Sequence, residues 1–304
     1  MSGLEKKRAR ISAGEMAYVE EGDPESPAIV FLHGFPASSY LWREFVPLFA
    51  PWMHVVAPDL LGAGDSEKPA GAGLHIRAQA RYVRELLATL GVEGFAVVGH
   101  SSGGGVAQLL AIEGGVEAMV LIDSVAFEAW PDETVRELWS TPPERATAGF
   151  VETFVRTALA RGMGRPSRLG DAALVEYLRP YAGVDGVAAF FRMAHALDGI
   201  GLDGSEAALA RLTVPTLILW GEDDPLVSVE VAERLNEAIA TSALALLPGC
   251  SHFLPEDAPE TIAPLMFDYL RSRYLGRPHE HEHEHADPGT VLIQLERRRP
   301  EDRR

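Results

Sequence analysis

The sequence contains a single cysteine, Cys250, in 304 residues. One thiol cannot form an internal disulfide, so the fold must rest on its core, and this usage fits a reducing compartment. Lysine is nearly as scarce. Only Lys6, Lys7 and Lys68 occur, and the other 24 of the 27 basic residues are Arg. Against 44 acidic residues the formal net charge is −17. A field of that sign repels phosphate backbones and anionic lipid, so neither a nucleic-acid partner nor a membrane surface is expected. Long apolar runs are missing as well. No stretch of about 18 apolar residues occurs, which argues against a spanning helix. The basic residues near the start are not followed by the apolar stretch of a secretory signal. These absences point to a soluble, cytoplasmic protein with a small-molecule partner.

Hydrophobic residues make up 47% and charged residues 23% of the chain, values of a folded globular protein. The length allows one large domain or two small ones, with a sizeable core. Six short apolar runs read as strands: Ala28–His33, His54–Pro58, Phe95–Gly99, Ala118–Asp123, Val214–Gly221 and Ala243–Pro248. They are nearly continuous rather than alternating, as strands buried on both faces must be, and this favours a parallel sheet. Helical patterns lie between them. Val83, Leu86, Leu87 and Leu90 share one helical face, and Gly91 is a stop signal. Val229–Ala240 and Ala258–Arg273 also read as helices. The alternation predicts an α/β fold whose site lies at the carboxyl ends of the strands.

The alternation fails between Val125 and Leu212. Short helical patterns there (Leu138–Trp139, Phe150–Leu159, Leu169–Leu178, Val187–Leu197) are separated by Pro142-Pro143, Pro166 and Pro180. The expected organisation is a core of residues 1–124 and 213–275 with a helical cap inserted at 125–212, a separate second domain being the alternative. Residues 276–304 carry His279, His281, His283 and His285 alternating with glutamates. They are expected to form a flexible, solvated tail rather than a metal site.

Gly99-His100-Ser101-Ser102-Gly103 matches G-x-S-x-G between a strand and a helical pattern at Gly104–Ile112. A strand turning directly into a helix strains the middle residue and presents its hydroxyl above the sheet. Small residues two positions to either side prevent a clash. A serine hydroxyl is a weak nucleophile and needs a base, itself oriented by a carboxylate. The chain supplies both in order: Asp224 after the run ending at Trp220, and His252 after the run ending near Leu247. Asp223 and Asp123 are the alternative acids. His33-Gly34-Phe35-Pro36 follows another strand, and the backbone N–H groups of Phe35 and Ser102 are the expected oxyanion donors. His33, His195 and Cys250 read as structural. Phe35, Trp42, Trp130 and Trp139 are the expected pocket walls. This chemistry calls for no metal and no cofactor.

With these motifs the chain resembles the α/β-hydrolase superfamily over Ile11–Leu275. Its front part, His33–Pro69, is most similar to the haloalkane dehalogenase and epoxide hydrolase branch. Asp59-Leu60-Leu61-Gly62-Ala63-Gly64-Asp65-Ser66 is similar to the superfamily's D-x-x-G-x-G-x-S loop and reads as structural. The resemblance implies a mostly parallel, eight-stranded sheet with helices on both faces and an inserted cap. It also implies the nucleophile, acid and base roles for Ser101, Asp224 and His252.

Members of that branch use an Asp nucleophile where this chain has Ser101. The dehalogenases hold halide with a Trp where this chain has Ser102, and with Asn or Trp at the position of Phe35. Tyr177 and Tyr181 lie in the segment where epoxide hydrolases carry oxirane-polarising tyrosines. Without an Asp nucleophile they read as cap core or pocket wall. A carboxylate ester formed by displacing halide or opening an epoxide can be hydrolysed, whereas a serine alkyl ether cannot be released that way. The expected reaction is therefore acyl transfer, namely hydrolysis of a small carboxylic ester or lactone. A C–C hydrolase of a dicarbonyl ring-fission product and a ligand-sensing protein with little turnover are the alternatives.

Overall fold

The computed structural model describes residues 4–128, 133–197 and 202–275. The expected tail at 276–304 and Trp130 lie outside the described residues. Eight strands form one sheet: β1 (Lys6–Ile11), β2 (Gly14–Glu21), β3 (Ala28–Leu32), β4 (His54–Pro58), β5 (Phe95–His100), β6 (Val116–Ile122), β7 (Thr216–Gly221) and β8 (Ser242–Leu247). Their spatial order is β1-β2-β4-β3-β5-β6-β7-β8. β1 and β2 are antiparallel to their neighbours, and every other pairing is parallel.

The six apolar runs are the parallel strands. β3, β4, β5 and β7 are buried at every position, which is why alternation is absent from their sequences. The first hairpin carries no such run. β1 is an edge strand in which only Ala9 and Ile11 are buried, and Lys7, Arg8 and Arg10 are exposed. Charge along an exposed edge discourages pairing with another chain. β8, the other edge, is only half-buried through its middle.

The helices are α1 (Val46–Phe49), α2 (Ile76–Thr89), α3 (Ser102–Glu113), α4 (Glu133–Trp139), α5 (Ala148–Gly162), α6 (Asp171–Leu178), α7 (Gly183–Ala196), α8 (Glu206–Leu209), α9 (Val229–Ala238), α10 (Leu254–Asp257) and α11 (Pro259–Arg273). α2 buries Val83, Leu86 and Leu87 on one face, and His75 caps its start through Ala78 N–H. Gly91 follows at φ 72°, the left-handed conformation that ends a helix. α3 differs: it is buried on nearly every side and lies against β5, β6 and α2.

The segment between β6 and β7 contains α4 to α8. It meets the sheet's carboxyl end at several points. Arg179 forms a bidentate ion pair with Asp65 (2.5 and 2.8 Å). Tyr181 donates to Pro36 O at 3.1 Å, and Phe253 N–H donates to Gly162 O at 2.8 Å. The Asp59–Ser66 loop is organised around the Asp59 carboxylate, which ties it to neighbouring segments. The Asp59 carboxylate accepts from Ser39 N–H, Asp65 N–H and Lys6 Nζ, while Ser66 Oγ donates to Asp59 O.

Candidate active site

Leu32, Gly99, Leu121 and Ile218 are paired across β3, β5, β6 and β7, so the loops that follow these strands leave the sheet side by side. Ser101 follows β5 at φ 53° and ψ −122°, a conformation that costs a non-glycine residue on the order of 1–3 kcal/mol. Its neighbours must be small. A Cβ at Gly99 would lie 2.5 Å from Gly103 O, and one at Gly103 would strike Leu32 O. Gly34, after β3, adjoins the serine: a Cβ there would lie 2.5 Å from Ser101 Cβ.

His252 Nε2 lies 3.1 Å from Ser101 Oγ, and His252 Nδ1 lies 2.8 Å from Asp224 Oδ2. The other Asp224 oxygen accepts from Leu226 N–H (2.7 Å) and Val227 N–H (3.0 Å). An Nδ1–H directed at the carboxylate leaves the Nε2 lone pair facing the serine hydroxyl. All three side chains are buried. Asp223 is exposed and its backbone N–H donates to Cys250 O, so of the two adjacent carboxylates only Asp224 meets the imidazole.

Asp123, the other alternative acid, is fully buried at the end of β6. It accepts from Gly221 N–H (2.8 Å) and Leu254 N–H (3.3 Å), not from His252. Burial and the nearby Asp224 charge push its carboxyl well above the usual range. His33 donates from Nδ1 to Gly34 O and accepts Leu60 N–H at Nε2. His100 donates from Nε2 to the His252 carbonyl at 2.7 Å. Burial holds both imidazoles below their ordinary pKa and keeps them neutral. Cys250 is buried, which raises its thiol pKa.

Of the two expected oxyanion donors, Ser102 N–H lies at the start of α3, where no intrahelical acceptor exists and the helix dipole favours negative charge. Phe35 N–H points at Ser102 Oγ, 3.1 Å away. An incoming carbonyl oxygen would have to replace that hydroxyl as its acceptor.

The expected walls need correction. Trp42 is wholly buried in the core against Phe31 and Phe45, because its short 3-10 turn (Ser39–Trp42) faces the sheet rather than the site. Trp139 donates to Ala194 O at 2.8 Å and stacks on the exposed His195, joining α4 to α7. Neither lines the two cavities that meet Ser102 and His252. One cavity, about 30 Å³, is lined by Gly34, Phe35, Ser102, Val106, Met193 and Leu197 among others. The second, about 60 Å³, includes Phe35, Phe154, Ala158, Leu226, His252 and Phe253. Of the expected walls among the described residues, Phe35 alone lines them, and it lines both. Tyr177 and Tyr181 are buried, and their hydroxyls bond Glu256 and Pro36 O. Among the described residues no group of three or more His, Cys, Asp or Glu converges to hold a metal ion.

A profile of the α/β hydrolase fold family matches residues 27–259. The chain belongs to the α/β hydrolase fold family. Its curated relatives include a haloalkane dehalogenase of Bradyrhizobium diazoefficiens, 30% identical over 287 residues, covering 85% of this chain and 92% of the relative. A soluble epoxide hydrolase of Corynebacterium sp. strain C12 is 30% identical over 278 residues, covering 84% and 93%. Among solved structures, an α/β hydrolase fold protein from Burkholderia ambifaria has a TM-score of 0.80 at 27% identity, covering 86% of this chain and 97% of that one. No helix among the described residues of this α/β-fold hydrolase is long and apolar enough to cross a membrane.

Proposed function

We propose that the protein is a serine hydrolase that cleaves small carboxylic esters or lactones through an acyl-enzyme on Ser101. One observation carries this reading: the unbroken chain from Ser101 Oγ through the His252 ring to Asp224, at 3.1 and 2.8 Å. His252 takes the Ser101 proton as Oγ attacks the carbonyl, then returns it to the leaving alcohol. Asp224 fixes the tautomer and stabilises the imidazolium. The backbone N–H groups of Phe35 and Ser102 hold the oxyanion, each such donor contributing ~3–4 kcal/mol to the transition state. Water activated by His252 then releases the acid. The helices between β6 and β7 act as a cap over this centre.

The dehalogenase and epoxide hydrolase relatives do not transfer their printed activities. A serine attacking a haloalkane or an epoxide would form a stable alkyl ether, with no carbonyl for water to attack. Hydrolysis of p-nitrophenyl esters by the wild type and by Ser101→Ala tests the reading. Turnover lost in the variant, with an acyl adduct on the Ser101 peptide seen by mass spectrometry, is the expected result. Turnover that survives Ser101→Ala would overturn it.

A second reading, hydrolysis of a C–C bond beside a carbonyl, is favoured by one residue. Arg161 lines the cavity next to His252, where it can meet a substrate carboxylate. Release of a ketone product from a dicarbonyl acid, lost in Arg161→Ala, would select that reading.

A further inference from the structure

Two cavities adjoin the residues around Ser101 and differ in which part of the proposed catalytic machinery they meet. The first touches Gly34, Phe35 and Ser102, the residues around the expected oxyanion donors. The second touches His252, the residue that returns a proton to the departing group. Phe35 lines both and separates them. Its ring packs 5.0 Å from Phe190 and 6.5 Å from Phe154, which fixes this partition from the cap side. The chemistry of acyl transfer then distinguishes the two sides. The leaving oxygen must face His252 Nε2, and the carbonyl oxygen must face the N–H donors. The carbon chain of the acyl group is left to run away from His252, into the first cavity.

We infer that the cavity bounded by Val106, Met193 and Leu197 is the acyl pocket, and that it restricts the enzyme to short acyl groups, acetyl or propionyl. This inference rests on the serine hydrolase reading and deepens it. The pocket's free volume of about 30 Å³ is half that of the cavity beside His252, about 60 Å³. The lining is apolar but for Gln79, His33 and Ser102, and Gln79 is satisfied by Leu61 N–H and Leu61 O. The pocket therefore suits a short uncharged aliphatic chain and gives a charged acyl group no partner. Met193 sets the depth. It is buried on α7, and its Sδ and Cγ lie 3.3 Å from the position a Cβ would take at Gly62 in the facing loop.

The test varies the two halves of the ester independently. One series keeps p-nitrophenol and lengthens the acyl chain from acetate to octanoate. The other keeps acetate and lengthens the alcohol from methyl to hexyl. In the wild type, kcat/KM is expected to fall about tenfold or more between acetyl and hexanoyl, with the alcohol series flatter. Met193→Ala is expected to raise the hexanoyl-to-acetyl ratio by about tenfold and to leave the alcohol series unmoved. Ala63→Val, on the opposite wall, works in the other direction by penalising propionyl relative to acetyl, and it keeps the test decisive if Met193→Ala does not fold. A wild type that prefers octanoyl overturns the assignment, as does a Met193→Ala shift confined to the alcohol series, or ratios unmoved in both variants. Failure of the underlying reading looks different. Turnover that persists in Ser101→Ala, or is absent from the wild type on every ester, removes the acyl-enzyme and the acyl pocket with it.

Discussion

Four contacts hold the loop around His252, none of them made by its ring nitrogens. Its carbonyl accepts from His100, Phe253 N–H donates to Gly162 O, Leu254 N–H donates to Asp123, and Ser251 N–H donates to Asp257. With the backbone fixed, the ring's remaining freedom is removed by Asp224. Asp224→Asn preserves shape but presents an amide that favours the wrong tautomer. It is expected to lower kcat on the order of 10⁴-fold with little change in KM, read by steady-state ester hydrolysis. His33 and His100 supply a pH dependence of stability. Both are held neutral in the fold by burial, with their pKa lowered, whereas in the unfolded chain they titrate near about 6.5. The unfolded state therefore binds more protons below that pH. Their contribution is fully present above about 6.5 and is lost as pH falls toward the depressed folded values, by up to about 1.4 kcal/mol per pH unit for each histidine. Urea denaturation from pH 7.5 to 5 is expected to show this loss, and His33→Gln is expected to flatten it.

At the scale of elements, Asp257 at the end of α10 joins two parts of the chain. It is fully buried, and its two oxygens accept from Ser251, Gly164 and Arg165 N–H groups at 2.8–2.9 Å. Asp257→Ala strands the buried Ser251 N–H and leaves the N–H groups of the exposed Gly164 and Arg165 to water, and is expected to cost roughly 1–3 kcal/mol in urea denaturation. It is also expected to lower kcat, because the loop carrying His252 loosens. Asp257 was invisible in the sequence: one carboxylate among 44 acidic residues, whose partners are backbone groups 6 and more than 90 positions away. The same reason explains the mistaken walls. Phe154, Met193, Leu226 and Phe253 reach the cavities through helix packing that no local pattern encodes, and a tryptophan in a helical pattern serves a core as readily as a pocket. The strands β3 to β8 and the turn at Ser101 were legible because their causes are local: continuous burial, and glycines placed where backbone atoms meet. The β1–β2 hairpin was missed because its edge strand is polar on one side and carries no apolar run.

Across the whole molecule, the net charge of −17 sets a long-range field that the buried centre does not create. Two esters of equal size, one cationic and one anionic in the alcohol portion, are expected to separate in kcat/KM at low ionic strength. The cationic ester is expected to be favoured, with the difference shrinking as salt rises from 10 to 300 mM. A salt-independent ratio would mean that the approach to the cavities is locally neutral. The bond from Phe253 N–H to Gly162 O also has a consequence for motion. Gly162 ends α5, and Phe253 is the residue after His252, so on the serine hydrolase reading the proposed roof and the proposed base share one anchor. If α5 lifts from the sheet, it draws the imidazole off the serine. On that reading the enzyme would be unarmed whenever α5 is raised on that side, and water entering there would meet a hydroxyl without its proton acceptor.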